Sequence, residues 1–199
     1  MNEAFDFNQQ LILEDDVVLL RPLQLSDVDY LLDISENEPE TWEYSLVRAN
    51  GKENLINYIQ LAIDGRDKKT EFPFIVFDKR TGRYAGSTRY YDINFPFKTL
   101  QLGYTWYGKD FRGTGLNQHC KFLLLQQAFE VMNMERVEFR ADNKNAISIA
   151  AMKSIGCTVE GILRNNMPTY SGNRRDTIVL SVLRNDWFET TRTNLQNRF

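Results

Sequence analysis

The residues best suited to chemistry form one short run, Arg112-Gly113-Thr114-Gly115-Leu116-Asn117. Glycine reaches backbone conformations closed to other residues and lets a ligand come close to the main chain. A helix starting just after such glycines offers free N–H groups and a positive dipole end, which together can hold a phosphate. A tight turn that only packs is the competing explanation. Two phosphate motifs are absent: there is no G-x-x-x-x-G-K-[ST], and no G-x-G-x-x-G follows a strand. Another anion is left as the ligand of this turn.

The elements flanking the run fit that role. Upstream, Leu100, Leu102, Tyr104 and Trp106 alternate with Gln101, Gly103, Thr105 and Tyr107, which predicts a strand with the first four on one face. Downstream, Leu116, Cys120, Leu123, Leu124, Ala128, Val131 and Met132 recur at helical spacing and predict an amphipathic helix. Val17 to Leu23 reads as a strand, and S-D-V-D-Y-L-L-D-I-S as a helix with Ser26 as its N-cap. Glu53 to Ile63 reads as a second helix, and Phe72 to Phe77 and Tyr84 to Ile93 as a hairpin. A strand at Val137 to Asp142, a short helix from Asn145 to Ile155 and strands at Thr158 to Arg164 and Thr177 to Leu183 complete the order. Strand runs mixed with single crossovers predict a mixed sheet in an α/β or α+β layered domain.

At 199 residues, with 42% hydrophobic and 26% charged residues, the chain has globular composition and enough length for a proper core. A net charge of -3 argues against a nucleic-acid partner. Cys120 and Cys157 lack metal or redox spacing and read as reduced packing residues, which suits a cytoplasmic protein. No secretory pattern or membrane-length apolar run is present, so no membrane partner is expected. His119, the single histidine, is expected to face solvent or cap the helix. Residues 1–16 read as an N-terminal extension that frays or lies on the surface, 17–187 as one domain and 188–199 as a tail.

Arg112 to Asn117 resembles the R/Q-x-x-G-x-G/A signature with which acyltransferases of the GNAT superfamily hold the pyrophosphate of acyl-coenzyme A. Asn145-Ala146-Ile147-Ser148, then Gly156, then V-E-G-I-L-R resembles the N-x-x-S/A…G-F…E-G-x-x-R pattern of the later half of that superfamily. Gly103-Tyr104-Thr105-Trp106 is similar to the G-Y-x-W strand of the ribosomal-protein N-terminal acetyltransferases. The resemblance covers Val17 to Trp187 and implies a GNAT-like, mostly antiparallel sheet of about seven strands flanked by helices.

It further implies an N-acetyltransferase that uses acetyl-CoA as co-substrate and transfers the acetyl group directly to a primary amine. The acceptor is a protein N-terminus or a small molecule such as a polyamine, amino sugar or amino acid; a non-catalytic acyl-CoA-binding regulator is the other class, and the protein acts as monomer or homodimer. By resemblance, the main chain of Tyr104, Thr105 and Trp106 pairs with the pantetheine arm. The amides of Gly113, Thr114, Gly115, Leu116 and Asn117 cradle the pyrophosphate, with Arg112 adding charge or making a surface ion pair. Asn117 replaces a smaller residue and can crowd the phosphate or donate to it; the free donor favours donation. Asn145 reaches the pantetheine or caps its helix. A tyrosine acid of the family is replaced by Met152, which leaves Ser148 as the hydroxyl for the departing thiolate. Glu160 and Asp92 are the candidate bases, Glu160 having a strand-end ion pair as its plainer role. Seven acids between Ser26 and Glu43, with no base, suggest a field that attracts a cationic amine or merely a solvated face. Trp42, Tyr44, Tyr90, Tyr91 and Phe95 line the cleft or belong to the core.

Overall fold

The computed structural model describes residues 5–170 and 172–199. Eight strands form one sheet: β1 (Leu13–Glu14), β2 (Val18–Pro22), β3 (Phe72–Asp78), β4 (Arg83–Asn94), β5 (Thr99–Tyr107), β6 (Arg136–Asp142), β7 (Thr158–Pro168) and β8 (Arg174–Leu183). Their spatial order is β1-β2-β3-β4-β5-β6-β8-β7, and every neighbouring pair is antiparallel except β5 with β6. The expected α/β layered architecture is therefore present, with eight strands rather than seven because Leu13 and Glu14 pair with Leu20 and Leu19.

Helices cover both faces. α1 (Val28–Asn37) and α2 (Lys52–Asp67) lie on one face. In α2, Leu55, Tyr58, Ile59 and Ala62 are buried at i, i+3, i+4 and i+7, the stripe that lets one side of a helix meet a sheet. α3 (Leu116–Gln126), α4 (Ala146–Ser154) and a C-terminal helical stretch from Arg184 to Gln196 lie on the other face. Trp187 of that stretch stacks on Phe129 and touches Phe122, while Tyr90 of β4 donates to the Leu124 carbonyl at 2.5 Å.

Several expectations change. Ser26 is not a cap: a 3-10 turn, Leu25–Asp27, precedes α1, and the buried Asp27 carboxylate accepts from the Gln24 N–H and from Arg21. α2 continues to Asp67, through residues that read as a charged connection, because only one of its faces must be apolar. The extension is not loose where it is described. Phe7 is buried, and Phe5 and Phe7 both pack on Phe72 and Phe95. His119 is not solvent-facing either: its Nδ1 lies 2.7 Å from Asp15 Oδ2 and its ring stacks on Phe199 at 4.2 Å.

Candidate active site

β5 and β6 run side by side for only three register pairs, Thr99 with Arg136, Leu100 with Val137 and Gln101 with Glu138. Beyond these, β5 continues to Tyr107 and β6 to Asp142 with no pairing between them. The sheet is split by a wedge, and the main-chain groups on the facing edges of both strands have no ladder partner.

A bulge sits in the wedge wall. On β4, Ser87 faces Trp106 and Arg89 faces Gly103, so Thr88 alone opposes Tyr104 and Thr105, and Tyr104 takes a φ of 49°. A residue inserted into one strand reverses its inward-outward phase. Leu102 lies opposite Tyr90, which faces α3, whereas Trp106 meets Trp42 and Tyr58 on the α2 side. Thr105 and Tyr107 face α3 instead. The expectation that Leu100, Leu102, Tyr104 and Trp106 share one face fails at this bulge.

At the C-terminal end of β5 the chain turns through Lys109–Phe111 into α3. Gly113 has φ 72° and Gly115 has φ 86°, a region that favours glycine. A Cβ at Gly113 would meet nothing within 4 Å, and one at Gly115 only Gln118 Oε1 at 3.9 Å. No side chain caps α3, and the N–H groups of Gly113, Thr114, Gly115, Leu116 and Asn117 make no hydrogen bond within the described residues. Unsatisfied donors around open space at a helix start match the needs of a pyrophosphate. Asn117 Oδ1 accepts from Tyr107 at 3.3 Å, which leaves its amide N–H groups to donate outward. Arg112 is committed elsewhere: its Nε donates to Tyr107 O, its Nη2 donates to Thr41 Oγ1, and Glu38 lies 3.6 Å away. Arg80, for which the sequence gives no signal, donates to the Thr114 carbonyl at 3.0 Å and braces the turn while paired to Asp78.

The open end of the wedge is bordered by α4. Asn145 Oδ1 accepts from the Ser148 N–H at 3.0 Å, so Asn145 is the N-cap, while its Nδ2 makes no hydrogen bond among the described residues and is left to donate. Ser148 is half-buried and Met152 belongs to the core. The two carboxylates lie toward the closed end. Asp92, exposed with φ 48°, accepts from Gln101 Nε2 at 2.8 Å, next to the last pair joining β5 and β6. Glu160 is held by both terminal nitrogens of Arg136 and by Ser181, and these partners, the Arg136 guanidinium first, pull its carboxyl down to about 2. A carboxylate so stabilised has little affinity for a proton. The geometry thus brings Tyr104, Thr105, Trp106, Gly113 to Asn117, Asn145 and Ser148 around the wedge, and leaves Glu160 in an ion pair.

Two buried cations at the bulge escape a reading of the sequence. Lys121, on α3 in the midst of the apolar stripe, is 5% exposed and donates to Thr105 Oγ1 at 2.7 Å, Thr105 in turn being 2.7 Å from Thr88 Oγ1. Burial pulls its ammonium down to about 8, against the opposing influence of the nearby Cys120 and Cys157. Both thiols are themselves pushed up to about 12 by burial, so neither supplies a nucleophile. On the opposite face, Arg89 pairs with Glu71 at 2.6 Å and lies over the Tyr104 ring at 3.6 Å. The aromatic residues divide: Trp42 and Tyr90 are core, and Tyr91 meets Tyr104 edge-on at 5.0 Å. Of the seven acids, Asp27 and Glu38 are buried and serve Arg21 and the Lys109 N–H.

A family model described as the acetyltransferase (GNAT) domain matches residues 18–158. The Bacillus subtilis protein named probable N-acetyltransferase YjcK is 26% identical over 183 residues, covering 88% of this chain and 98% of that protein. Among solved structures, a GCN5-related N-acetyltransferase from Brucella melitensis superposes with a TM-score of 0.87 at 24% identity, over 96% of this chain and 86% of the other. A Salmonella typhimurium acetyltransferase that modifies the N-terminal serine of ribosomal protein L7/L12 gives a TM-score of 0.77 at 18% identity, over 87% and 99%. Both structures are less than a quarter identical and speak to the fold.

Proposed function

Since the chain belongs to the GNAT family and is an N-acetyltransferase, we propose that it carries an acetyl group from acetyl-CoA directly to a primary amine, in a ternary complex. Members of the family generally use acetyl-CoA as co-substrate, and the thioester supplies the activated acetyl group. The wedge between β5 and β6 carries this reading: it offers an unpaired strand edge, a bulged wall and five free N–H groups at one end. An extended amide-bearing arm can add to a free strand edge as a further strand would.

In this reading the N–H groups of Gly113 to Asn117 bind the pyrophosphate, with the Asn117 amide adding a donor. The main chain of Tyr104, Thr105 and Trp106 binds and aligns the arm, and an N–H of the bulged segment stabilises negative charge developing on the acyl oxygen. Asn145 Nδ2 donates to the arm while its Oδ1 caps α4. Ser148 hydrogen-bonds the departing sulfur, and Lys121, behind Thr105, adds positive charge where negative charge develops. Asp92 keeps Oδ1 free and is the carboxylate available to take a proton from the amine. The two buried thiols, protonated at neutral pH, favour direct transfer over an acyl-enzyme. We take 17–187 as the catalytic domain, onto whose sheet and helices Leu13–Glu14 and the helical stretch to Gln196 also pack, and the acceptor is a protein N-terminus or a small amine.

The test is thiol release from acetyl-CoA against peptides with free N-termini, lysine peptides with blocked N-termini, polyamines, amino sugars and amino acids. Release with one class identifies the acceptor. Silence across the panel, with acetyl-CoA still bound by calorimetry, would point to a narrow acceptor outside it or to a non-catalytic acyl-CoA-binding regulator.

A further inference from the structure

The side of the wedge away from α3 carries several arginines, of which Arg89, Arg136 and Arg140 are matched to Glu71, Glu138 and Glu160. Two arginines on this side have no acid within ion-pair distance among the described residues. Arg175, two residues before Thr177, which pairs across the sheet with Asp142 at the open end of β6, is only 8% exposed. It donates from Nε to Thr177 Oγ1 at 3.1 Å and from Nη1 to the Tyr44 carbonyl at 3.4 Å, both neutral acceptors, and Nη2 makes no hydrogen bond among the described residues. Asp142 favours its charge from beyond ion-pair distance, and Tyr91 and Tyr104 lie within its electrostatic reach. Burial still outweighs them and lowers the stability of its charged form. Arg48, on the segment that follows Tyr44, lies over the Tyr170 ring at 4.0 Å and, among the described residues, makes no hydrogen bond and has its Nε buried without a partner.

A buried guanidinium without a counter-charge is expensive, because desolvation is not repaid by attraction. An anion arriving between Arg48 and Arg175 would relieve that cost with charge-assisted, two-point hydrogen bonds, for which the planar guanidinium fork is suited. Tyr44, whose carbonyl accepts from Arg175, and Tyr170, whose ring lies under Arg48, flank the two guanidinium groups. Resting on the acetyltransferase reading, we propose that the acceptor is an amine that also carries a carboxylate, which Arg175 and Arg48 hold while the amine faces the wedge. This reverses the emphasis of the acid-rich stretch from Ser26 to Glu43, whose Asp27 and Glu38 are occupied by internal partners.

The test separates anion recognition from turnover. Binding of N-acetylglycine and of its uncharged amide, N-acetylglycinamide, is measured by calorimetry to the CoA-loaded full chain, for wild type, Arg175→Gln and Arg175→Lys. The expected result is binding of the carboxylate at least tenfold tighter than the amide, a preference lost in Arg175→Gln and partly kept in Arg175→Lys. Arg48→Gln is expected to reduce it as well, on a residue half-exposed enough to leave the fold intact. In thiol release, free amino acids and peptides with an acidic second residue should show a KM at least tenfold below their neutral counterparts; which of the two shows it tells a small-molecule source of the carboxylate from a peptide one. Equal binding of the probe pair, or a preference that survives Arg175→Gln, overturns the proposal. No thiol release from any amine, with the carboxylate preference intact, would leave the anion site standing and sink the acetyltransferase reading instead.

Discussion

Replacing Lys121 by Met should stabilise the protein and impair it at once. Lys121 is 5% exposed, and burial brings its pKa from 10.5 to about 8. At roughly 1.4 kcal/mol per pH unit, that gap corresponds to about 3 kcal/mol of destabilisation wherever both states hold the proton. Methionine has similar length and no charge, and losing the hydrogen bond to Thr105 costs about 1 kcal/mol, while Thr105 and Thr88 still pair with each other. The net expectation at pH 7 is a gain of about 2 kcal/mol, or about 6 °C in Tm for a chain of this size. The sign with pH follows from proton counting. Between pH 8 and 10.5 the unfolded chain binds more protons at this position, so wild-type stability rises with pH there. By pH 9.5 the two proteins should be about equal. Cys120 and Cys157, both raised to about 12, lose stability above pH 9 in either protein, so the difference between the proteins is what isolates Lys121. Urea unfolding at pH 7 and 9.5 measures it. A variant less stable than wild type at pH 7, or a difference that ignores pH, would refute the reasoning. Turnover should fall at least tenfold, as positive charge behind the bulge is lost.

Gly115→Arg should weaken CoA binding by at least a hundredfold while lowering Tm by only a few degrees, since the space is open and the cost is backbone strain at φ 86°; calorimetry and thermal melting together check this. Asn145→Asp preserves the capping oxygen but removes the Nδ2 donor, so the KM for acetyl-CoA should rise about tenfold with stability unchanged, whereas Asn145→Ala should also lose about 1 kcal/mol. Ser148→Ala should reduce kcat more than it raises KM, because a group on the departing sulfur matters most in the transition state, and an unaltered rate would remove Ser148 from the chemistry. Glu160→Gln should leave turnover intact. Because the folded carboxyl is held down at about 2, its support for the fold is present above about pH 4.5 and vanishes as pH falls through 2, so acid unfolding of the variant should be flatter there, by roughly 1 kcal/mol or less for so exposed a pair.

The elements and the glycine turn were legible because period-2 and period-3.6 patterns are local, as is the pairing of Gly113 with Gly115 before an apolar stripe. What escaped is long-range or depends on one residue of phase. The bulge hides because Tyr104 and Trp106 are both aromatic, so alternation looks unbroken where Gly103 and Tyr104 in fact share a face. Lys121 lies between Cys120 and Phe122, and its partners Thr105 and Thr88 are 16 and 33 residues away. Arg175 meets Tyr44 across 131 residues. Ser26 lost to Asp27 as the functional acceptor at the start of α1 because Asp27 also answers Arg21, a partner on β2.

The wedge also bears on how the chain avoids its neighbours. Unpaired strand edges invite other chains to add to them, and proteins normally blunt or cover such edges. Here two of them face each other inside the sheet, where three register pairs, α3 and α4 set the gap. A strand from another molecule would have to thread a slot closed at one end, which a flexible narrow ligand can do and a twisted ribbon with side chains on both faces cannot. The β5 and β6 edges are thereby kept open for pairing yet shielded from aggregation. The outer rims carry that burden separately: β1 is two residues long, and β7 bears Glu160, Arg164 and Pro168.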